Sequence, residues 1–218
     1  ALANKFTVYA PNLPGYAKSS GLDKLDDVTD LTLYQFELLD ALGVSKAHVV
    51  GHFLGGMIAA EMAAMGQENL KGLVLIDAAG IKPEAGEIAE MFMISAETRL
   101  GRAFYDPSKV PDYDWYTREL TPEEANQTHS NRAMLSRLCW KPYLHNPSLS
   151  YYLRKVTTPT LIIWGKQDAI FPLECGELYR DALPNATLNS IDQSGNRPHI
   201  EKPQEFLGAV EEFLAGLN

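Results

Sequence analysis

Two uninterrupted apolar runs constrain the fold of this chain more than any other feature. Residues 72–77 (GLVLID) and 159–165 (PTLIIWG) carry apolar side chains at almost every position. Strands covered on both faces have runs of this kind, whereas a strand with one face in water alternates apolar and polar residues. The two runs therefore predict an α/β fold with a mostly parallel sheet that has helices on both faces.

Further strand-like segments alternate with helical patterns along the chain, as such a sheet requires. The other strand candidates are residues 6–10, 47–51 and 186–191. The helix candidates are residues 30–42, 55–65 and 203–217. Gly43 follows the first of these helices as a stop signal.

Residues 80–158 have a different character from the flanking segments. They contain no convincing strand and hold most of the tryptophan and tyrosine residues. Residues 121–124 (TPEE) predict a helix start, with a capping threonine, a proline and two acids. We interpret residues 80–158 as a helical cap, or lid, inserted into a core formed by residues 1–79 and 159–218. The alternative is a second small helical domain with no chemical role.

Composition and charge exclude several classes of protein. The chain has 218 residues, 19 basic and 28 acidic side chains, and a net charge of -9, which argues against a nucleic-acid partner. No apolar run approaches the roughly 20 residues that span a bilayer, so no membrane partner is expected. No signal peptide is visible, and we expect a cytoplasmic protein. The chain begins at Ala1 without a methionine, so the natural start is expected to be missing.

A glycine-rich turn lies between the predicted strand at 47–51 and the helix that follows it. Residues 51–55 read GHFLG. The segment resembles the nucleophile elbow of the α/β-hydrolase fold, G-x-S-x-G, in which glycines permit a strained strand-to-helix turn. Phe53 stands where that pattern has its nucleophilic serine.

Four more segments resemble the same family in the same order, so the resemblance covers essentially the whole chain. They are residues 9–20, 73–77, 161–168 and 194–203. The resemblance places the catalytic acid at Asp168 and the catalytic histidine at the position of Asn196. A plain turn residue is the alternative role for Asp168.

A second departure from the family pattern lies at the front of the chain. Nothing corresponds to the strands and the H-G-type oxyanion loop that the family has before residue 6. We therefore expect an N-terminally truncated sheet, which either closes up in a smaller form or is completed by a second chain or by self-association.

The resemblance implies acyl-bond hydrolysis, but the residues present do not support a triad. Phe53 has no nucleophilic atom, and Asn196 cannot accept and return a proton near neutral pH. The N–H of Leu54 would supply one oxyanion donor, and its partner belongs to the absent loop. We therefore predict strongly impaired catalysis.

Two histidines are candidate substitutes for the missing groups. A structural role is favoured for His52, beside the elbow position, and His199 is a displaced base in the less favoured alternative. Cys139 and Cys175 are interpreted as inert buried thiols. No metal or dinucleotide motif is present, and no cofactor is expected.

Three functions remain open from the sequence. The first is a degenerate hydrolase whose pocket binds a small apolar or ester-type ligand, with aromatic lining from Trp115, Tyr116, Trp140 and Tyr143. The second is an altered or truncated form of an active hydrolase of esters or carbon–carbon bonds. The third is a structural or partner-binding module that uses exposed sheet edges.

Overall fold

A parallel four-stranded sheet forms the centre of the molecule. The computed structural model describes residues 2–217, apart from the side chain of residue 22. The strands are β1 (Ala47–His52), β2 (Leu70–Ile76), β3 (Thr160–Gly165) and β4 (Ala186–Ile191). Their spatial order is β1-β2-β3-β4, and each neighbouring pair is parallel. The predicted fold class is therefore confirmed, with strand limits within two residues of those predicted.

Nine α-helices accompany the sheet in the described chain. They are α1 (Val28–Ala41), α2 (Leu54–Gly66), α3 (Ala96–Ala103), α4 (Tyr113–Thr117), α5 (Pro122–Cys139), α6 (Leu149–Leu153), α7 (Leu173–Ala182), α8 (Pro198–Glu201) and α9 (Pro203–Ala215). Short 3-10 helices lie at Leu2–Asn4, Leu22–Lys24, Gln67–Asn69 and Pro107–Lys109.

The side chains of β2 show why both faces of the sheet are covered. Leu73 and Leu75 point into the larger apolar cluster, which contains the buried faces of α1, α2 and α7. Val74 and Ile76 point to the opposite face, where they pack with Val210 of α9. Successive residues of a strand face opposite sides of its sheet, so a continuous apolar run is buried on both sides.

The prediction of a strand at residues 6–10 was wrong. Residues 7–13 have no regular secondary structure, and Val8 and Tyr9 each keep 53% of their surface exposed. Phe6 packs on the α9 side of the sheet and Leu13 on the other side, so this segment passes around the β1 edge. A strand-like sequence becomes a strand only when a neighbour accepts its hydrogen bonds, and β1 pairs with β2 alone within the described residues.

Helix starts follow the local signals. Asp27 and Asp30 form a reciprocal capping box at the start of α1, and Thr121 and Glu124 form another at α5. Gly43 follows α1 with a positive φ of 68°. The predicted helix start at residues 121–124 is confirmed.

Residues 80–158 connect β2 to β3. They contain α3 to α6, and within the described chain none of them lies in a strand. A polar contact links this segment to the core: the Asn146 side chain donates to the Glu61 carboxylate at 2.8 Å, and Glu61 lies on α2. Its role as a cap stays a prediction.

Candidate active site

The turn between β1 and α2 has the strained backbone that its sequence predicts. Phe53 has φ 54° and ψ −117°, a conformation that non-glycine residues rarely adopt. Its carbonyl accepts hydrogen bonds from the N–H groups of Gly56 and Met57 at 3.1 and 3.3 Å, which begins α2. A side chain at Gly51 would lie 2.1 Å from the carbonyl oxygen of Gly55, so only glycine fits there. The turn thus projects residue 53 from the carboxyl end of the sheet.

The Phe53 side chain fills this projecting position with a ring. Its centroid lies 5.2 Å from that of Phe171, and the ring is half-buried against the larger core cluster. Leu54 follows as the first residue of α2, where the helix itself provides no acceptor for the N–H group. This N–H is in the position predicted for one oxyanion donor, and its role stays a prediction.

Asp168, the predicted catalytic acid, is held firmly by hydrogen bonds. Its Oδ1 accepts hydrogen bonds from the N–H groups of Ile170 and Phe171 at 2.7 and 3.2 Å, and only 9% of the residue is exposed. Its Oδ2 accepts from Asn196 at 2.8 Å. Burial raises the pKa of Asp168 to about 6, despite these hydrogen bonds to the charged form.

Asp77 is a second buried carboxyl beside Asp168, and it was not among the predicted site residues. It follows β2 directly, and its Oδ1 accepts from the N–H of Gly165 at 2.8 Å. Its Oδ2 is buried and has no N–H or O–H donor in the described chain. Burial, and next the charge of Asp168, raise the pKa of Asp77 well above the usual range. A proton on Asp77 relieves the repulsion between the two carboxyl groups.

Asn196 occupies the position where the family pattern has its histidine. The residue is 2% exposed, and its side-chain amide donates to Asp168. An imidazole N–H would make the same hydrogen bond, but the amide cannot then take a proton from a nucleophile. The backbone carbonyl of Asn196 accepts a hydrogen bond from His52 Nε2 at 2.7 Å.

His52 and His199 form a half-buried ring pair on the α9 side of the sheet. Their centroids are 4.8 Å apart in an edge-to-face arrangement, and His199 also packs on Phe206. Burial lowers the pKa of His52 to about 4. Burial, and next the nearby His52, lower the pKa of His199 to about 4 as well, so both rings are neutral at pH 7. The Nε2–H of His52 donates to the carbonyl of Asn196, so this N–H is already hydrogen-bonded within the protein.

The four predicted pocket aromatics are spread over the segment between β2 and β3. Trp115 is 63% exposed beneath the Arg118 guanidinium, and Trp140 is 51% exposed against Phe92. Tyr116 packs on Phe104. Their part in a ligand pocket stays a prediction.

Tyr143, the fourth pocket aromatic, borders a cavity of about 270 Å³. The cavity is lined by Lys82, Gly86, Glu87, Ile88, Tyr143 and His145. The Tyr143 hydroxyl donates to the carbonyl of Ala89 at 3.0 Å and accepts from the N–H of Met91 at 2.7 Å. These bonds hold the segment at one wall of the cavity in place.

Within the described residues, no group of three or more His, Cys, Asp and Glu side chains could bind a metal ion. Cys139 and Cys175 are free and buried, and burial raises the pKa of each thiol to about 12. Over residues 2–217, no helix has both the length and the apolar character needed to cross a bilayer.

Comparison with known proteins adds the family context of this geometry. The chain is 28% identical over 234 residues to a 2-hydroxy-6-oxononadienedioate/2-hydroxy-6-oxononatrienedioate hydrolase of Burkholderia vietnamiensis, covering 98% of this chain and 78% of that protein. The structure of a thermophilic esterase matches with a TM-score of 0.74 at 27% identity, covering 94% of this chain and 79% of that one.

A meta-cleavage product hydrolase from Pseudomonas fluorescens shares the fold, with a TM-score of 0.79 at 24% identity over 96% of this chain and 79% of that one. A family profile described as the alpha/beta hydrolase fold matches residues 1–134, more than half of the chain. With the strained elbow at Phe53 and the parallel sheet beneath it, this match shows that the chain belongs to the α/β-hydrolase family.

Proposed function

We propose that this protein keeps the scaffold of a carboxylic-ester or related acyl-bond hydrolase but has negligible triad activity. One observation carries the proposal. Phe53 stands at the strained elbow position, and Asn196 makes the hydrogen bond to Asp168 that a catalytic histidine would make. The site therefore has the acid and its orientation, but neither a nucleophile nor a base.

The size of the expected defect follows from what each group contributes. Removing a serine or a histidine from a hydrolase triad costs about 10⁶-fold in kcat, and losing both costs little more because the groups act together. Loss of one oxyanion donor costs about 10²- to 10³-fold. With Leu54 N–H as the one donor we assign, hydrolysis by the unaltered chain falls close to the uncatalysed rate.

Ligand binding is the activity that these losses leave in place. In this proposal residues 80–158 act as a cap over the carboxyl end of the sheet, and a small apolar or ester-type ligand binds beneath it. The cavity beside Tyr143 is lined by residues of this segment alone, and it supports a binding space of about 270 Å³ within the proposed cap. The hydrolase names of the relatives support an acyl or related bond as the family-level target.

The test restores the two missing groups. We expect the Phe53→Ser/Asn196→His variant to hydrolyse p-nitrophenyl acetate with saturation kinetics, about 100-fold faster than the unaltered chain. A Phe53→Ala/Asn196→His variant is the matched control, because it opens the same space and supplies the base without a nucleophile. Saturable turnover by the unaltered chain at the rate of the restored variant would contradict the proposal.

A second candidate function is assembly through the sheet edge. Within the described chain β1 pairs with β2 alone, and Val50 of β1 is 44% exposed. An unpaired strand edge is a template for pairing with another chain. In this alternative the β1 edges of two copies pair antiparallel, and catalysis has no part.

A further inference from the structure

Glu201 makes an unusual set of hydrogen bonds close to the base position. Its Oε2 accepts from the N–H of Gly195 at 2.7 Å and from the Ser194 hydroxyl at 3.3 Å. Its Oε1 accepts from the N–H groups of Tyr105 and Asp106 at 2.7 and 3.4 Å. One carboxylate thus joins the loop before Asn196 to a segment that lies 96 positions away in the chain.

The two segments joined by Glu201 are also packed tightly. A Cβ atom at Gly195 would lie 2.9 Å from the backbone nitrogen of Tyr105 and 3.0 Å from the carbonyl carbon of Phe104. The Arg197 guanidinium lies 5.1 and 5.6 Å from the ring centroids of Phe104 and Tyr116. The loop at 194–197 and the segment at 103–106 therefore form one packed unit.

The carboxylate is the part of this unit that cannot be replaced by an amide. Hydrogen bonds from N–H groups to a charged acceptor are about twice as strong as neutral ones. Both short bonds, to Gly195 and to Tyr105, use different oxygens of one side chain. A glutamine would keep one acceptor and turn an N–H₂ donor towards the other backbone N–H, because an amide has a single oxygen.

We infer that Glu201 is a positioning residue: it fixes the backbone of the base-position loop against the segment at 103–106. Asn196 follows Gly195 directly, so the Glu201 contact determines where the side chain at 196 meets Asp168. The inference rests on the proposed function, since a base at position 196 acts only when it is held between Asp168 and the elbow. Residues 103–106 lie in the proposed cap, so Glu201 couples the cap to that base.

The first test measures amide hydrogen exchange in the chain with Phe53 and Asn196 unchanged. We expect Glu201→Gln to speed exchange at Gly195 and Tyr105 about tenfold or more, because each loses or weakens a charge-assisted bond. Exchange in β2 should stay the same. Glu205→Gln is the matched control. Glu205 is exposed and lies four residues after Glu201, and this substitution removes the same charge. Unchanged exchange at both amides, or an equal increase throughout β2, would overturn the inference.

The second test uses the restored site. In the Phe53→Ser/Asn196→His background, Glu201→Gln should lower kcat about tenfold or more and leave KM within about twofold, while Glu205→Gln changes neither. A rise in KM at constant kcat would overturn the positioning role. If the restored variant shows no turnover, the proposed function fails, and the exchange measurement still decides whether Glu201 positions the loop.

Discussion

At the residue scale, the proposed site rests on three side chains. Phe53 lies at the strained turn after β1, and Asp168 accepts a hydrogen bond from the Asn196 amide. In the proposed function Asn196 stands at the base position, where its amide moves no proton because it has no titratable nitrogen. The carboxyl group of Asp77 adds a feature that is independent of this loss, since its second oxygen is buried without a donor.

The Asp77–Asp168 pair predicts a stability that falls as the pH rises. An aspartate in the unfolded chain has a pKa near 3.9. In the folded chain the pKa of Asp77 is raised well above this value, and the pKa of Asp168 is raised to about 6. The folded chain therefore binds more protons than the unfolded chain between pH 4 and these higher values. For each proton that only the folded chain binds, the free energy of unfolding falls by up to about 1.4 kcal/mol for every unit that the pH rises.

Replacing Asp77 by asparagine should remove its share of this dependence. We expect the free energy of unfolding of Asp77→Asn, relative to the unaltered chain, to rise between pH 5 and pH 8. Urea unfolding at the two pH values measures this difference, and titration of His52 and His199 cancels because both chains contain them. Asp23→Asn, at an exposed carboxyl, is the control. A difference that stays constant with pH would contradict the raised pKa of Asp77.

At the scale of elements, the β1–α2 turn is the most demanding part of the fold. It places Phe53 at a strained dihedral and brings α2 against the end of β2. A Cβ atom at Gly56 would lie 2.4 Å from that of Ala78, whereas a Cβ atom at Gly55 would meet nothing within 4 Å. Packing therefore requires glycine at position 56 but not at position 55.

This contrast predicts opposite effects for the same substitution. Gly56→Ala should lower the free energy of unfolding by about 1–3 kcal/mol, because the methyl group overpacks the contact with Ala78. Gly55→Ala should be neutral or raise it by up to about 1 kcal/mol, because alanine favours the helix. Guanidinium unfolding followed by circular dichroism measures both. Equal destabilisation by the two changes would show that the helix–strand contact is not the constraint.

At the scale of the whole molecule, the sheet edge at β1 is the feature with the largest functional consequence. The segment at residues 7–13 passes this edge without pairing to it, and Val8, Tyr9 and Val50 remain exposed. The two candidate functions differ in whether they use this edge. A ligand-binding hydrolase scaffold does not need an unpaired edge, whereas an assembly module does.

Sedimentation velocity distinguishes these two functions. The assembly module predicts a dimer that forms with rising concentration and that Val50→Lys abolishes, because an edge lysine opposes strand pairing. Leu33→Lys, on the exposed side of α1, is the control. The experiment is run near 0.15 M salt, because at this concentration the repulsion between two chains of net charge -9 is screened beyond about 8 Å. A monomer over the full concentration range would remove the assembly function.

Local signals were sufficient for most of the fold. The apolar runs predicted β2 and β3 because residues buried on both faces must all be apolar. The resemblance at residues 51–55 predicted the elbow, and the threonine cap at residue 121 marked the start of α5. Residues 6–10 misled the prediction because their composition suits a strand, while a strand also needs a pairing neighbour.

The residues that complete the site could not be found in the same way. Asp77 and Glu201 both lie in segments that resemble the family, and a carboxyl at the end of a buried strand was an available signal for Asp77. Their roles depend on partners far along the chain: Gly165 for Asp77, and Tyr105 for Glu201. Periodicity and composition are properties of neighbouring residues, so they predict elements, whereas the prediction that Phe53 stands at the nucleophile position came from the family resemblance of residues 51–55. Burial, raised carboxyl pKa values and long-range hydrogen bonds arise only when distant segments meet in the folded chain.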